Sequence, residues 1–237
     1  MDLKKYYRLL HEIITLPRVE IRMWGDEHCH HMYRYFVRPH PHYWVIQNKS
    51  IGAAILPLPA SFEEYTAGKK SQALRTNRTR CLKQGFSFQA FQPDKWLEDL
   101  MEINASSPVR QGRKMYASYT DVDQVRTLVQ EIDRMYGVFN QEGRLRAYAH
   151  VLVCGELILF SRLLGHAEDL EQGVMYLLVS EVLKEMIALK AQAGLPHYAM
   201  YDTFFGALPG LRYFKERLGF SPYRVRWKWV EQPCAET

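Results

Sequence analysis

Apolar positions in the C-terminal part of the chain change their period in a regular order. Residues 173–193 repeat apolar side chains at the period of a helix. A strand at HYAMYDT, a short helix over 209–218 and a final strand at YRVRWKWV follow. Three apolar or alternating runs before the long helix predict strands in a meander: YGVFN (136–140), LRAYAHVLVCG (145–155) and ELILFSRLLGH (156–166). The predicted order is therefore β-β-β-α-β-α-β.

The N-terminal part has a less regular pattern. Residues 2–15 carry apolar positions at helical spacing and predict a first helix. Ser61 and Glu64 form a capping box that opens a polar, basic segment. Short runs between residues 19 and 57 predict three strands: VEIRMW, HYWVIQ and GAAILPLP. Two further helices are predicted on either side of a loop: residues 93–105 and 121–135.

Composition describes an ordinary globular protein. The 237 residues are 47% hydrophobic and 24% charged, which suffices for one large or two small domains. The net charge of +5 favours anionic ligands without requiring nucleic acid. The start MDLKKYYRLLHEII lacks the apolar core of a signal peptide, and no apolar run approaches the roughly 18 residues of a membrane span. We therefore expect a cytoplasmic protein without membrane contact.

Cysteine and histidine residues give no recognised metal signature. The four cysteines are widely spaced and form no CxxC pair, so reduced thiols are expected. Residues 28–42 are rich in histidine, but their spacing matches no usual zinc site, and alternation in a strand would turn neighbouring side chains to opposite faces. We expect no metal.

The element order and two segments resemble the GCN5-related N-acetyltransferase (GNAT) superfamily, in particular its FemAB and BioF2-like branch. That branch ends its sheet with a Tyr-Asp pair, a glycine-containing loop and an FK-x-x-x-G helix. The corresponding residues are Tyr201-Asp202, Gly206 and Phe214-Lys215 up to Gly219. The basic segment FEEYTAGKKSQALRTNRTRCLKQG is similar to a second part of the branch.

This resemblance implies a mixed α/β (α+β) fold in which a central, mostly antiparallel sheet is flanked by helices. It covers residues 91–237 well, and these are expected to form a GNAT-like transferase core. Residues 1–90 are then an N-terminal α/β portion, for which a reduced second GNAT-like half is one interpretation.

The segment after the fourth strand of the fold bears on the donor. Acetyl-CoA-dependent members carry Q/R-x-x-G-x-G/A there, and its backbone N–H groups hold the pyrophosphate. The sequence RLLGHAEDLEQG fits only the first half of this signature before a longer loop. The helix start after this loop still offers N–H groups to an anion. The donor-binding residues implied are Arg162, Gly165, His166, Gln172, Gly173 and Phe214.

Lys215 is the catalytic candidate. Acetyltransferases of this fold often place there a tyrosine that protonates the leaving thiolate, whereas the FemAB branch, which uses aminoacyl-tRNA, places a lysine that stabilises charge on the acyl transition state. The resemblance also implies catalytic roles for Tyr201 and Asp202 at the strand end, where Asp202 would be a catalytic or substrate-orienting acid. The alternative for Asp202 is the start of a loop cap. The apolar pattern leaves an alternative, in which Leu211, Phe214 and Leu218 pack inward and the basic residues form a solvated face.

The loop NASSPVRQGRKMY is the candidate acceptor site. Its guanidinium groups could bind a carboxylate or phosphate as a fork, and relatives of this fold place the acceptor wall here. The residues concerned are Asn104, Arg110, Gln111 and Arg113. A mobile surface loop is the alternative. RTNRTR (75–80) could follow phosphates of CoA or tRNA, but it lacks aromatic residues that would stack on bases, which favours a solvated helix face.

The sequence therefore predicts an N-acyltransferase. It would move an acetyl or aminoacyl group from a phosphate-bearing donor to an amine of a small molecule or peptide. Acetyl-CoA or another acyl-CoA is the first choice of donor, because it is the commonest in this fold. Aminoacyl-tRNA is the alternative, and a catalytically degenerate GNAT-like binding protein is the second alternative.

Overall fold

Residues 11–110, 112–132 and 134–231 are described by a computed structural model of the chain. The strands are β1 (Arg18–Met23), β2 (Ile51–Pro57), β3 (Ser87–Phe91), β4 (Val109–Arg110), β5 (Arg113–Lys114), β6 (Met135–Phe139), β7 (Leu145–Cys154), β8 (Leu157–Gly165), β9 (Tyr198–Thr203) and β10 (Ser221–Trp229). The α-helices are α1 (Glu27–Val37), α2 (Phe62–Thr66), α3 (Gln72–Lys83), α4 (Leu97–Ala105), α5 (Ala117–Thr120), α6 (Val122–Gln130), α7 (Val174–Ala193) and α8 (Pro209–Arg217). Two 3-10 helices are Pro93–Trp96 and Ala167–Gln172.

Eight strands form one sheet in the order β1-β10-β2-β9-β8-β7-β6-β3, and β4 pairs with β5 in a separate small hairpin. Two neighbouring pairs of the large sheet, β1 with β10 and β8 with β9, are parallel. The other five pairs are antiparallel. The predicted mixed α/β fold with a mostly antiparallel sheet is confirmed, as is the order of elements from β6 to β10.

Helices cover both faces of the sheet. The long helix α7 packs on one face, where its residues Val174, Leu177 and Leu178 are fully buried against strands β6 to β9. On the opposite face, α1 covers one end and α4 with α6 covers the other. Alternation along the strands places successive side chains on these two faces. Between α1 and the α4–α6 group, the second face carries polar residues.

The strand predicted in the N-terminal stretch 28–47 is absent from the structure. The histidine-rich segment forms α1, whose start is capped by the Asp26 carboxylate accepting from the Cys29 N–H, and Phe36 packs on the sheet. HYWVIQ forms turns with no strand, and Trp44 at its tip is 80% exposed. The alternation of this stretch reflects no buried face, so the strand prediction is wrong.

Other boundaries differ less. The helix expected to reach Met135 ends at Gln130, because Met135 already begins the buried strand β6. The edge strand β3 lies in a segment that the pattern assigned to no element. Residues 93–105 are helical as predicted, first as a 3-10 turn. Of the first predicted helix, residues 11–15 are helical and residues 2–10 lie outside the described residues.

Strands from both predicted portions of the chain share the large sheet. β2 lies between β10 and β9, and β1 lies at the edge beside β10. The division into residues 1–90 and 91–237 stays a prediction.

Cys29 on α1 and Cys154 at the end of β7 form a disulfide with a Cα–Cα distance of 5.4 Å. The expectation of reduced thiols is therefore wrong for this pair. Cys81 is free and buried, and Cys234 lies outside the described residues. No helix in the described part of the chain combines the length and apolar character needed to cross a bilayer.

Candidate functional site

The sheet opens between β8 and β9. These parallel strands pair only from Leu157 to Leu159 with Tyr198 to Met200 within the described residues. Beyond that point β8 continues to Gly165 beside β7, while Thr203 of β9 pairs with β2. The two strands thus separate inside the sheet, and the gap between their diverging ends is called the cleft below.

Lys215 lies at this cleft and is only 1% exposed. Its ammonium donates a hydrogen bond to the Thr203 carbonyl oxygen at 2.7 Å and lies 4.6 Å from the centre of the Tyr201 ring. Burial lowers the pKa of Lys215 to about 8, while Asp202 acts to raise that pKa and Lys49 to lower it. A desolvated ammonium is therefore held beside the end of β9.

The packing of helix α8 against the rest of the protein fixes the position of Lys215. Pro209 stands in its first turn, where a missing N–H has no cost, and Leu218 after its end is fully buried. Phe214 packs edge-on against Tyr176, with ring centres 4.9 Å apart. Arg217 instead lies over the exposed Tyr213 ring at 4.6 Å. The solvated-face interpretation is therefore wrong for Lys215.

Tyr201 and Asp202 turn in different directions from the end of β9. The Tyr201 ring packs near Phe160 and Phe220, and burial raises the pKa of its hydroxyl, which stays protonated. Asp202 has a φ of +51°, a left-handed conformation that aspartate tolerates better than most residues. Its carboxylate is 61% exposed and forms an ion pair with Lys49 at 2.5 Å.

Lys49 is a site residue that the sequence reasoning missed. It stands in the loop before β2, and its side chain is only 13% exposed. Its ammonium also lies 5.6 Å from the Tyr35 ring of α1. No local pattern marks Lys49, because its partner Asp202 is 153 positions away in the chain.

The predicted donor loop is a 3-10 helix with Glu168 and Asp169 in its first turn. His166 before it is buried, with its Nδ1 atom 2.7 Å from the Arg146 guanidinium. The Gln172 side chain donates to Asp169 at 3.3 Å. These side chains are thus engaged with the protein itself.

Helix α3 lies across the start of α7. Gly173 has a φ of +91°, and a Cβ at this position would come within 2.8 Å of the Asn77 carbonyl oxygen. The Arg80 side chain of α3 donates to the Glu171 carbonyl oxygen just before this start. Val174, the first residue of α7, is fully buried. A diphosphate would therefore meet α3 on its way to the N–H groups of α7.

Arg162 lies on the opposite face. A register shift in β8 turns its side chain away from Phe160 and Leu163, which pack on the α7 side. Its guanidinium donates to the Ser118 carbonyl oxygen at 3.0 Å. The guanidinium also stacks 4.3 Å from the centre of the Tyr119 ring of α5. The structure thus separates Arg162 from His166, Gln172 and the start of α7. Gly165, two residues before the 3-10 helix, is buried, and its carbonyl oxygen accepts from Arg110 at 3.1 Å.

The predicted acceptor residues have different environments. Arg110 donates to the Ile103 carbonyl oxygen, the Ser106 hydroxyl and the Gly165 carbonyl oxygen, and burial lowers its pKa. Arg113, its neighbour in the β4–β5 hairpin, is exposed. Asn104 is buried, accepts from the Tyr148 hydroxyl at 2.6 Å and donates to the Tyr119 carbonyl oxygen. Gln111 lies outside the described residues.

Together, Asn104 and Arg110 brace the loop from inside, and Arg113 is the described member of this set that faces solvent. Among the described residues, no group of three or more His, Cys, Asp or Glu side chains could hold a metal ion.

Comparisons with known proteins support the fold. The sequence matches no protein-family model and no curated protein. L-PGS from Bacillus licheniformis aligns over 73% of this chain and 61% of its own, with a TM-score of 0.51 and 16% identity. FemX aligns over 73% of this chain and 59% of its own, with a TM-score of 0.51 and 12% identity. The chain shares the fold of these structures.

A conserved protein of unknown function from Bacteroides thetaiotaomicron aligns similarly, over 74% of this chain and 59% of its own, with a TM-score of 0.50 and 13% identity. The chain spans about three fifths of the length of these structures. At such identities the likeness concerns the fold alone.

Proposed function

We propose that this protein is an acyltransferase that moves an acyl group from a phosphate-bearing donor to an amine. The observation that carries the proposal is the buried ammonium of Lys215 at the cleft between β8 and β9. Keeping this cation in the folded protein requires an explanation, because a buried lysine without an ion pair is costly. A negative charge that develops on the substrate during the reaction provides that explanation.

The reaction is a direct displacement. The acceptor amine attacks the acyl carbonyl carbon, and the carbonyl oxygen becomes an oxyanion as the tetrahedral intermediate forms. Lys215 stabilises this oxyanion while its hydrogen bond to Thr203 fixes the direction of the ammonium. The exposed carboxylate of Asp202 orients the amine and takes up its proton. The intermediate then collapses, the bond to the donor breaks, and the leaving group takes the proton that Asp202 removed from the amine.

Aminoacyl-tRNA is the donor that we favour over acyl-CoA. The loop that would hold a pyrophosphate is a 3-10 helix with acidic residues, and α3 covers the start of α7. Helix α3 contains no acidic residue, and its exposed face carries Arg75, Arg80 and Lys83. An extended polyanion suits such a basic helix face better than a single diphosphate does. This choice agrees with the resemblance to the FemAB branch.

The test compares both donors with the same protein. We expect product from radiolabelled aminoacyl-tRNA and a pool of small amines and peptides, and none from acetyl-CoA. The double variant Arg75→Gln/Lys83→Gln should weaken tRNA binding and lower the slope of log K against log salt by about one for each lost phosphate contact. Arg126→Gln on α6, an exposed arginine paired with Asp123, is the matched control.

Each other outcome has a distinct meaning. Product from acetyl-CoA alone would replace the donor and keep acyl transfer. Binding of either donor with no product in single-turnover conditions would identify a degenerate binding protein.

A further inference from the structure

The face of the sheet opposite α7 carries a polar cluster beside the cleft. Arg162 of β8 lies opposite His150 of β7 in the strand register, so both side chains lie on the same face. The Ser161 hydroxyl is 2.7 Å from Nδ1 of His150. Tyr119 of α5 covers Arg162, and Asp202 lies at the end of the neighbouring strand β9.

Arg162 is half-buried and forms no ion pair, a state that it shares among the described residues with Arg110, Arg212 and Arg217. Other arginines are paired with a carboxylate, as in Arg22–Glu156, Arg78–Glu181 and Arg146–Asp169. Among the described residues, Arg162 has no such ion pair, and its one hydrogen bond goes to the Ser118 carbonyl oxygen. A guanidinium has five N–H donors. Arg162 thus offers a half-buried positive charge to something outside the protein.

The surroundings of Arg162 are suited to an anion. Burial, followed by the charges of Arg162 and His28, lowers the pKa of His150 to about 4, so this ring is neutral at pH 7. Burial raises the pKa of Tyr119, while Arg162 acts to lower that pKa and Asp202 to raise it. The charges of Arg162 and Asp202 therefore act on the Tyr119 hydroxyl group in opposite directions.

We propose that this cluster is the acceptor subsite and that the acceptor is an amine that also carries an anionic group, either a carboxylate or a phosphate. Arg162 binds the anionic group as a fork, Tyr119 packs over it, and Asp202 holds the amine at the cleft. Lys215 faces the same cleft from the Tyr201 side. The inference rests on the proposed function, which it deepens, and it assigns Arg162 to the acceptor instead of the donor.

The anionic half is tested by NMR titration of the whole protein with inorganic phosphate and, separately, with acetate. We expect saturable shifts of the Arg162 and His150 side-chain signals with at least one of them. The bound anion should also raise the pKa of His150, because it offsets the charge of Arg162. Arg162→Gln should weaken this binding about tenfold or more, as the loss of charge-assisted hydrogen bonds implies. Arg217→Gln, which changes an arginine stacked on Tyr213, should leave it unchanged.

The amine half is tested with matched pairs of probes. Glycine is compared with acetate, and phosphoethanolamine with inorganic phosphate. The compound with the amine should bind more tightly within at least one pair, and Asp202→Asn should abolish that advantage. The pair that binds distinguishes a carboxylate from a phosphate acceptor. Absence of saturable binding, or binding that Arg162→Gln leaves intact, would overturn the inference. Because this test needs no turnover, an inactive protein that binds these probes would contradict only the proposed function.

Discussion

Two lysines flank the end of β9 and have different partners. Lys215 is almost completely buried and donates to a backbone carbonyl, so burial lowers its pKa to about 8. Lys49 is close to the exposed carboxylate of Asp202, with which it forms an ion pair. Lys215 forms no ion pair among the described residues, whereas Asp202 pairs directly with Lys49. A charge without an ion pair in a dry site acts strongly on a charge that appears during the reaction.

The largest expected effect is that of Lys215→Met. This change keeps most of the aliphatic volume and removes the ammonium, so kcat should fall by about 10²–10³, the size seen when one oxyanion donor is removed. Donor affinity should change little, because the interaction strengthens mainly in the transition state. Steady-state kinetics, with the donor and acceptor that the tests above identify, would measure kcat and the donor affinity.

Arg217→Met is the control for this variant, since Arg217 lies over Tyr213 on the same helix. It should retain near-parental kcat. The melting temperature shows whether a loss of kcat comes from a loss of folding. Lys215→Met removes a buried charge, so it should not lower the melting temperature at pH 7. If both variants keep their kcat, Lys215 has no part in the chemistry. If Lys215→Met melts far below the parent, the lysine is structural.

The pH profile tests the state of Lys215. Its ammonium exists below about pH 8 and is lost above it, so kcat should fall as pH rises through that value. The neutral acceptor amine gives the opposite limb, because its population rises with pH. A bell-shaped profile is therefore expected, and its descending limb should be absent from the residual activity of Lys215→Met.

The free energy of unfolding should rise with pH, whereas kcat should fall with pH. The folded-state pKa of Lys215, about 8, lies below the ordinary value of 10.5, so the unfolded chain binds more protons between these values. The free energy of unfolding should therefore gain a contribution from Lys215 as pH rises across this window. Lys215→Met lacks that contribution, which a comparison of denaturant midpoints at pH 7.5 and about pH 10 would measure. A parallel pH dependence of both proteins would refute the lowered pKa.

Much of the C-terminal part of the fold could be predicted from the sequence. Strands β6 to β10 and helices α7 and α8 follow from the apolar period, because each buries a regular stripe against the sheet. The same rule failed at α8 in one respect. Leu211, Phe214 and Leu218 satisfy the inward spacing, so the pattern assigns Lys215 to solvent, although the residue is buried against Tyr201.

Residues of the site that come together from distant segments could not be predicted. Lys49 meets Asp202, and Arg162 meets Tyr119, only after the sheet has formed. In the N-terminal part, alternation favoured strands between residues 28 and 47, where α1 and an exposed turn are found. Asp26 before EHC was a usable signal, since an aspartate at this position caps a helix.

Lys49→Met gives the smallest expected effect and tests whether the two sides are coupled. The ion pair is partly exposed on the Asp202 side, so its loss should cost about 0.2–1 kcal/mol of stability. Because the charge of Lys49 lowers the pKa of Lys215, the descending limb of the pH profile should move to higher pH in this variant. Asp202→Asn removes the proposed base and should lower kcat, and in its residual activity the limb should move to lower pH, because the charge of Asp202 raises the same pKa. Lys49→Arg, which keeps the charge, should leave the limb in place. A limb that stays fixed in both charge-removing variants would show that the two sides of β9 act independently.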